Sequence, residues 1–395
     1  MSERARVVLK SGKDQSVMRF HPWIFSGAIK KTYGNLQEGD VVDVFDNKEN
    51  YLGCGHYQVG SIAVRVLSFE QTEIDEAFYY ERLEVAHNLR KTLLLNMGDT
   101  DVYRLIHGEG DNLPGLIIDI YGDTAVVQMH SVGMFLSRTL IAQSLKKLFG
   151  EQLNHIYCKS AATLPKMALE NETKDYFLLG SKESGIVKEY GIQYHINWLQ
   201  GQKTGFFIDQ RENRKLVGQY ASGRAVANVF GYTGGFSLFA IQNNARIVHT
   251  IDSSAKAIDL TNENVTLNFG TEHNHEGIAI DAFDFFAEAK DRYDLIILDP
   301  PAFAKHQNVL NNALQGYKRL NQRAFENIAK NGILFTFSCS QAVSPQNFRK
   351  SVFAAAANAK RKVRILHQLT QPADHPVSIF HPEGEYLKGL VLHVE

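Results

Sequence analysis

From residue 225 onward, short apolar runs alternate with segments of helical length, and this alternation restricts the fold more than any other feature of the chain. "AVANVF" (225–230), "RIVHTI" (246–251), "GIAI" (277–280), "DLIIL" (294–298) and "GILFTF" (332–337) read as strands buried on both faces. Between them lie helical patterns, including "SSAKAIDLTNENVTLN", "AFDFFAEAK" and a long stretch running to residue 330. A last helix, "SPQNFRKSVFAAAANAKRK", has Ser344 at its N-cap and Pro345 at its first position. Two more strands are expected near 363–368 and 387–394. Apolar strands alternating with helices predict a parallel sheet covered on both faces. Ligands of such sheets bind beyond the carboxyl ends of the strands, so the residues ending each strand carry the chemistry.

The first strand ends in "FGYTGGF", where Gly231, Gly234 and Gly235 permit a tight turn and close backbone approach by a ligand. The run is not G-x-G-x-x-G, which disfavours a NAD-dependent oxidoreductase, and the chain contains no G-x-x-x-x-G-K-[ST] phosphate loop. The second strand ends at Asp252, about twenty residues on, where an acid can accept hydrogen bonds from ribose hydroxyls. Asp281 ends the third strand, with Phe283 beside it, a pair suited to an adenine amino group and ring face. The fourth ends in Asp299-Pro300-Pro301, whose prolines force a rigid exit and leave carbonyls without partners. Each element alone has a bland reading as a cap or a turn, but four in order at consecutive strand ends describe a nucleoside cofactor site.

Upstream of residue 225 the pattern differs. Residues 1–80 hold short alternating runs, "VVDVFD", "YLGCGHY" and "IAVRVLSF", split by polar turns, which indicates a small β-barrel or sandwich. The acidic "FEQTEIDEAFYYERLE" (69–84) reads as a linker entering a helix. Residues 86–185 combine strand-like runs around Gly/Asp turns with the helical "MFLSRTLIAQSLKKLFG", which describes an α+β domain. The expected domains are therefore 1–80, 86–185 and 190–395.

Three cysteines, Cys54, Cys158 and Cys339, are widely spaced and odd in number, so they form no disulfide framework. The sequons at Asn171 and Asn264 then read as chance. With no apolar leader and no membrane-length apolar run, the expected setting is cytoplasmic, with no membrane partner. Cys54-x-His56 lacks further zinc ligands, His273 and His275 read as solvated loop residues, and no metal is expected. Cys339, in "FSCS" at the end of the fifth strand, has two readings. A buried thiol is ordinary core packing. A thiol at the ligand-binding rim is also a competent nucleophile.

All of residues 200–395 resemble the class I S-adenosylmethionine-dependent methyltransferases. That resemblance implies a Rossmann-like α/β fold with Phe230, Gly231, Tyr232, Thr233, Gly234 and Gly235 against the methionine part of the cofactor, and Asp252 with Ser253 at the ribose. It places Asp281, Ala282 and Phe283 at adenine, and Asp299 and Pro300 beside the reacting end. The whole chain resembles the RlmI-like family of 23S ribosomal RNA cytosine-5 methyltransferases. The matching stretches are "HPWIFSGA", "YRLIHGEGDNLPGLIIDIYG", "KTGFFIDQR", "FGYTGGF", "DPPAF", "GYKRLNQRA", "FSCS", "ADHP" and "PEGEYLKG".

This second resemblance implies an N-terminal PUA domain that binds RNA, a central α+β domain and a C-terminal methyltransferase domain. By it, Cys339 attacks carbon-6 of cytosine and Asp299 hydrogen-bonds or protonates N3, with S-adenosylhomocysteine as by-product. Ribosomal RNA is the implied partner, and a homodimer is compatible with it. Two alternatives remain: methylation of a base nitrogen through Asp299-Pro300-Pro301-Ala302-Phe303, and a non-catalytic RNA-binding or ribosome assembly protein.

Formal net charge is −1, so phosphate contacts must come from local clusters. Residues 1–37 carry seven basic side chains, Arg6 and Arg19 among them, against two acids. Residues 342–368 carry six, Arg349 and Lys350 among them, and no acid. Lys203, Arg211, Lys318 and Arg319 are further candidates, with Pro301 and Phe303 to hold a base. His375 of "ADHP" fits a site role and a structural role equally.

Overall fold

The computed structural model describes residues 4–93, 98–164, 174–304 and 309–395; Asn171 lies outside them. The chain divides into two compact units, one of Met1–Val187, Ile196–Ile208 and Ala373–Gly384, the other of Lys188–His195, Asp209–Pro372 and Glu385–Glu395.

The first unit contains two sheets. Six short strands from Arg6–Leu9 to Ile62–Ser68 form the first, with Arg6–Leu9 and Val41–Phe45 parallel and the other neighbours antiparallel. Val41–Phe45 alternates buried and half-buried residues, as a strand with one core face should, and Val7, Leu9, Val42, Val44, Val64 and Val66 fill that core. The second sheet has five strands, Val102–His107, Leu116–Tyr121, Thr124–Met129, His155–Cys158 and Tyr176–Leu179, with the helix Glu76–Leu93 packed on it. Arg90 on that helix is fully buried, and its guanidinium grips both oxygens of Asp111 at 2.6 and 2.8 Å.

The second unit holds the predicted α/β sheet. Its strands are β1 (Ala225–Val229), β2 (Ile247–Asp252), β3 (His275–Ala279), β4 (Tyr293–Leu298), β5 (Ile328–Ser338), β6 (Val363–Leu369) and β7 (Lys388–Val394), in the spatial order β3-β2-β1-β4-β5-β7-β6. The first five run parallel, and β7 inserts antiparallel between β5 and β6. The helices are α1 (Arg211–Ala221), α2 (Gly235–Gln242), α3 (Ala255–Phe269), α4 (Ala282–Ala287), α5 (Leu310–Asn327) and α6 (Pro345–Asn358). Ser344 caps α6 through Asn347 N–H at 3.2 Å, with Pro345 next, as the sequence predicts.

Two boundaries differ from the sequence reading. The helix before β5 stops at Asn327 rather than residue 330, because Arg361 donates to the carbonyls of Phe325, Ile328 and Ala329 and to Glu395 O at its end. His275 opens β3 instead of lying in a solvated loop, and its Nε2 meets Thr250 Oγ1 at 2.8 Å.

Helix α1 is tied to the unit by a buried ion pair. Arg214 donates through Nε and a terminal nitrogen to both oxygens of Glu189, at 2.7 and 2.6 Å, and Arg211 Nε lies 3.7 Å from the same carboxylate. All three side chains are buried. Removing one partner of such a group strands buried charge, which costs far more than the pair contributes. Glu189→Ala is accordingly expected to destabilise the protein by about 3–5 kcal/mol, read as a lowered urea midpoint by circular dichroism; an unchanged midpoint would contradict the pairing.

Candidate active site at the carboxyl rim of the sheet

Parallel pairing brings the ends of β1 to β5 to one rim. The turn after β1 is strongly bent, with positive φ at Phe230 (63°), Tyr232 (47°) and Gly234 (80°). A methyl group on Gly231 would sit 2.2 Å from Thr250 Cγ2, and one on Gly235 would sit 2.9 Å from Arg214 Cδ. The glycines are therefore required by contact with β2 and α1 as well as by any ligand. Thr261 Oγ1 donates to Tyr232 O at 2.9 Å and Asn264 Nδ2 to Thr233 O at 3.1 Å, fixing the turn from α3.

Asp252 closes β2 and holds this turn. Its two oxygens accept from Tyr232 N–H at 3.0 Å and Ser254 N–H at 2.9 Å, which leaves lone pairs on both for hydroxyl donors. Ser253 lies between them, exposed. Asp281 follows β3 by two residues and caps α4 by accepting from Phe283 N–H at 2.7 Å through one oxygen. Phe283 is 44% exposed and Ala282 is buried, so an aromatic face stands open beside that carboxylate.

Asp299 lies at the end of β4, half-buried, beside Asp209, Gln210 and Arg214. Desolvation, then repulsion from Asp209, raises its pKa to about 7; hydrogen bonding from Gln210 and the charge of Arg214 oppose the rise. Asp209 accepts from Tyr386 O–H at 2.7 Å through one oxygen, while its other oxygen is buried without a partner. Pro300 is buried, Pro301 exposed, and the Phe303 ring packs 4.6 Å from Tyr317.

Cys339 follows β5, half-buried, and Leu298 of β4 pairs with Thr336 of β5, so Asp299 and Cys339 leave neighbouring strands at the same edge. Ser338 and Ser340 are fully buried on either side of it. Ser340 Oγ accepts from Ala304 N–H at 3.2 Å and pairs with Tyr317 Oη at 2.9 Å. None of the three cysteines forms a disulfide, and Cys54 and Cys158 are buried in the first unit.

The phosphate-binding candidates divide. Lys203, Arg19, Arg349 and Lys350 are exposed, and Lys318 is half-buried. Arg6 pairs with Glu49 and lies over the Phe45 ring at 4.2 Å. Arg211 is corrected: it is completely buried against Glu189, because its place opening α1 turns it inward, so it does not belong to a solvent-facing basic surface. Arg361 of the basic 342–368 run is likewise spent on carbonyls. His375 belongs to the first unit, buried beside Asp374 at 3.1 Å and His107. His21, His381 and Glu383, also in the first unit, form a cluster of ligand-type side chains within 4.8 Å, which the rim chemistry does not use.

Sequence reasoning passed over Asp209, Gln210 and Lys388. The first two stood inside "KTGFFIDQR" and the third inside the apolar "YLKGLVLHV", where a lone charge in a buried strand was the available signal.

The sheet order and its rim define an S-adenosylmethionine-dependent methyltransferase. A family model described as S-adenosylmethionine-dependent methyltransferase matches residues 172–382, and one described as a PUA-like domain matches residues 7–69. Ribosomal RNA large subunit methyltransferase I of Pseudoalteromonas atlantica is 41% identical over 99% of both chains. The protein of that name from Aeromonas salmonicida is 38% identical over 98% of both. A solved structure, SMU.776 with SAH, superposes with a TM-score of 0.84 over 98% of this chain and 100% of its own, at 24% identity, which speaks for the fold. The chain belongs to the ribosomal RNA large subunit methyltransferase I family. S-adenosylmethionine is its cofactor, and the rim is of a kind that suits it: carboxylate lone pairs at Asp252 and Asp281 and an open Phe283 face would suit hydroxyls, an amino group and a purine ring.

The Asp299 carboxyl gives a stability signature. Its folded pKa of about 7 lies above the ordinary 3.8, so its contribution to stability is full below pH 4 and is lost as pH rises through 7. The loss is at most on the order of 4 kcal/mol. Asp299→Asn should gain stability relative to the parent between pH 4 and 7 and hold that gain above it, by urea unfolding at several pH values. A pH-independent difference would show that the carboxyl is not desolvated.

Proposed function

We propose that the protein forms 5-methylcytosine in large-subunit ribosomal RNA through a transient cysteine adduct. The observation that carries this reading is the pair at the rim: a desolvated carboxyl, Asp299, and a half-buried thiol, Cys339, at the ends of adjacent parallel strands. Methylation of a nitrogen needs the first group and has no use for the second. The names of the relatives supply the substrate class, and the PUA-like match and the exposed Arg19, Arg349 and Lys350 suit an RNA partner.

Carbon-5 of cytosine is a poor nucleophile until something adds at carbon-6, and covalent addition divides the difficult step into two. The Cys339 thiolate adds to carbon-6, placing negative charge on the ring. Asp299, protonated near neutrality, donates to N3 and spreads that charge. Bound S-adenosylmethionine supplies the electrophilic methyl group. We assign its methionine end to residues 230–235, its ribose to Asp252 and Ser253, and its adenine to Asp281, Ala282 and Phe283. Loss of the carbon-5 proton then expels Cys339 and restores the aromatic ring. Pro301 and Phe303 shape the wall where the base would lie.

Transfer of labelled methyl groups to large-subunit RNA, followed by mass analysis of nucleosides, tests the reading. The parent should yield 5-methylcytosine, and Cys339→Ala should lose at least on the order of a thousandfold in rate. A methyl group on a base nitrogen, or full activity of the alanine variant, would refute the covalent route. Since thiolate and carboxylic acid are required together, kcat/KM should be bell-shaped in pH. Its falling limb should come from loss of the Asp299 proton and should vanish in Asp299→Asn.

A further inference from the structure

A thiol at the end of an apolar strand is mostly protonated at neutral pH unless a positive charge stands beside it. Neither sequence neighbour of Cys339 supplies one, since both are serines. The antiparallel strand β7 does. Its first residue, Lys388, pairs in register with Ser338, one position before Cys339. The lysine is 6% exposed, and its Nζ donates to Ser340 O at 2.7 Å, one position after Cys339. The ammonium group thus spans the turn that carries the thiol. Ser340 O is its single hydrogen-bond acceptor among the described residues, although an ammonium has three protons to give. Burying a lysine with no hydrogen-bonded carboxylate among the described residues is costly, and such a buried cation is unexpected unless it serves a neighbour.

We propose that Lys388 is the positioning residue that holds Cys339 as a thiolate, with its ammonium group next to the sulfur from β7. This rests on the reading of Cys339 as the nucleophile and supplies the activating charge which that reading lacks. Burial lowers the Lys388 pKa to about 8, while Cys339 and then Glu385 pull it back up. Among the described residues, Tyr317 of α5 also interacts with the thiol, its pKa raised by burial and in small part by Cys339. Tyrosine stays neutral here, so among these described groups Lys388 is the cation that acts on the sulfur below pH 8.

The test is the pH dependence of Cys339 alkylation by iodoacetamide in the full-length protein, followed by peptide mass, with buried Cys54 and Cys158 as internal references. In the parent the Cys339 thiol should titrate below its ordinary value of about 8.5. Lys388→Met should move the titration up by at least about one pH unit and slow alkylation at pH 7 roughly tenfold. Lys388→Arg should restore most of the rate. A parent thiol titrating at or above 8.5, or coincident profiles for parent and methionine variant, would overturn the proposal. The parent measurement stands even if the methionine variant fails to fold. The readout is also independent of the product, so a lysine-dependent thiol with no 5-methylcytosine formed would sink the functional reading and leave this inference standing.

Discussion

The parallel register between β4 and β5 is the constraint on which the proposed chemistry of this protein depends. Leu298 opposite Thr336 fixes where each strand runs out, and the next residues of both chains emerge at one edge. Because side chains alternate with a period of two, a slip of one residue would turn every side chain of a strand to the other face. The register is secured by burial: Leu295, Ile296, Ile297, Leu298, Leu334, Phe335 and Phe337 are all fully buried, divided between two cores on either face of the sheet. Packing far from the rim thus decides which polar side chains reach it.

Electrostatics at that rim are arranged against the usual preference for solvated charge. Asp299 and Asp209 are two carboxylates in one desolvated region, so the proton that one retains lowers their mutual repulsion. Arg214 lies near enough to oppose the rise, yet both of its bidentate bonds go to Glu189. The guanidinium therefore braces α1 and limits the room at Gly235 without neutralising Asp299.

Much of this was legible in the sequence because parallel sheets write their strands as continuous apolar runs and expose function at the strand ends. The glycine turn at 231–235, the acids at 252, 281 and 299, and Cys339 could all be located by that rule. What escaped it were roles set by packing across long separations. Arg211 resembles any surface arginine in one dimension, yet Glu189, twenty-two residues earlier, draws it inside. Arg361 sits in a basic run that suggests phosphate, yet carbonyls at 325, 328 and 329 occupy it. His275 reads as part of a polar loop, because the apolar run that marks β3 begins only after it. Local pattern identifies the element; the partner of a long side chain is decided by the fold.

The antiparallel strand explains why such a rim can hold a lysine at all. Parallel strands deliver only their last residues to the carboxyl edge, and those positions continue into loops and helix caps. A strand running the other way delivers its first residue, with the whole of its length behind it as an anchor. In β7 that residue is Lys388, followed by "GLVLHV", which pairs residue for residue with β5 on one side and, with one irregularity, with β6 on the other. The Nζ is thereby held by two ladders of backbone hydrogen bonds instead of by a loop. Gly389 contributes by admitting the Phe337 ring, which a side chain there would meet at 2.6 Å, so that β7 lies flush against β5. Insertion of one reversed strand thus gives the sheet a fixed cation at the edge that carries the acids and the thiol.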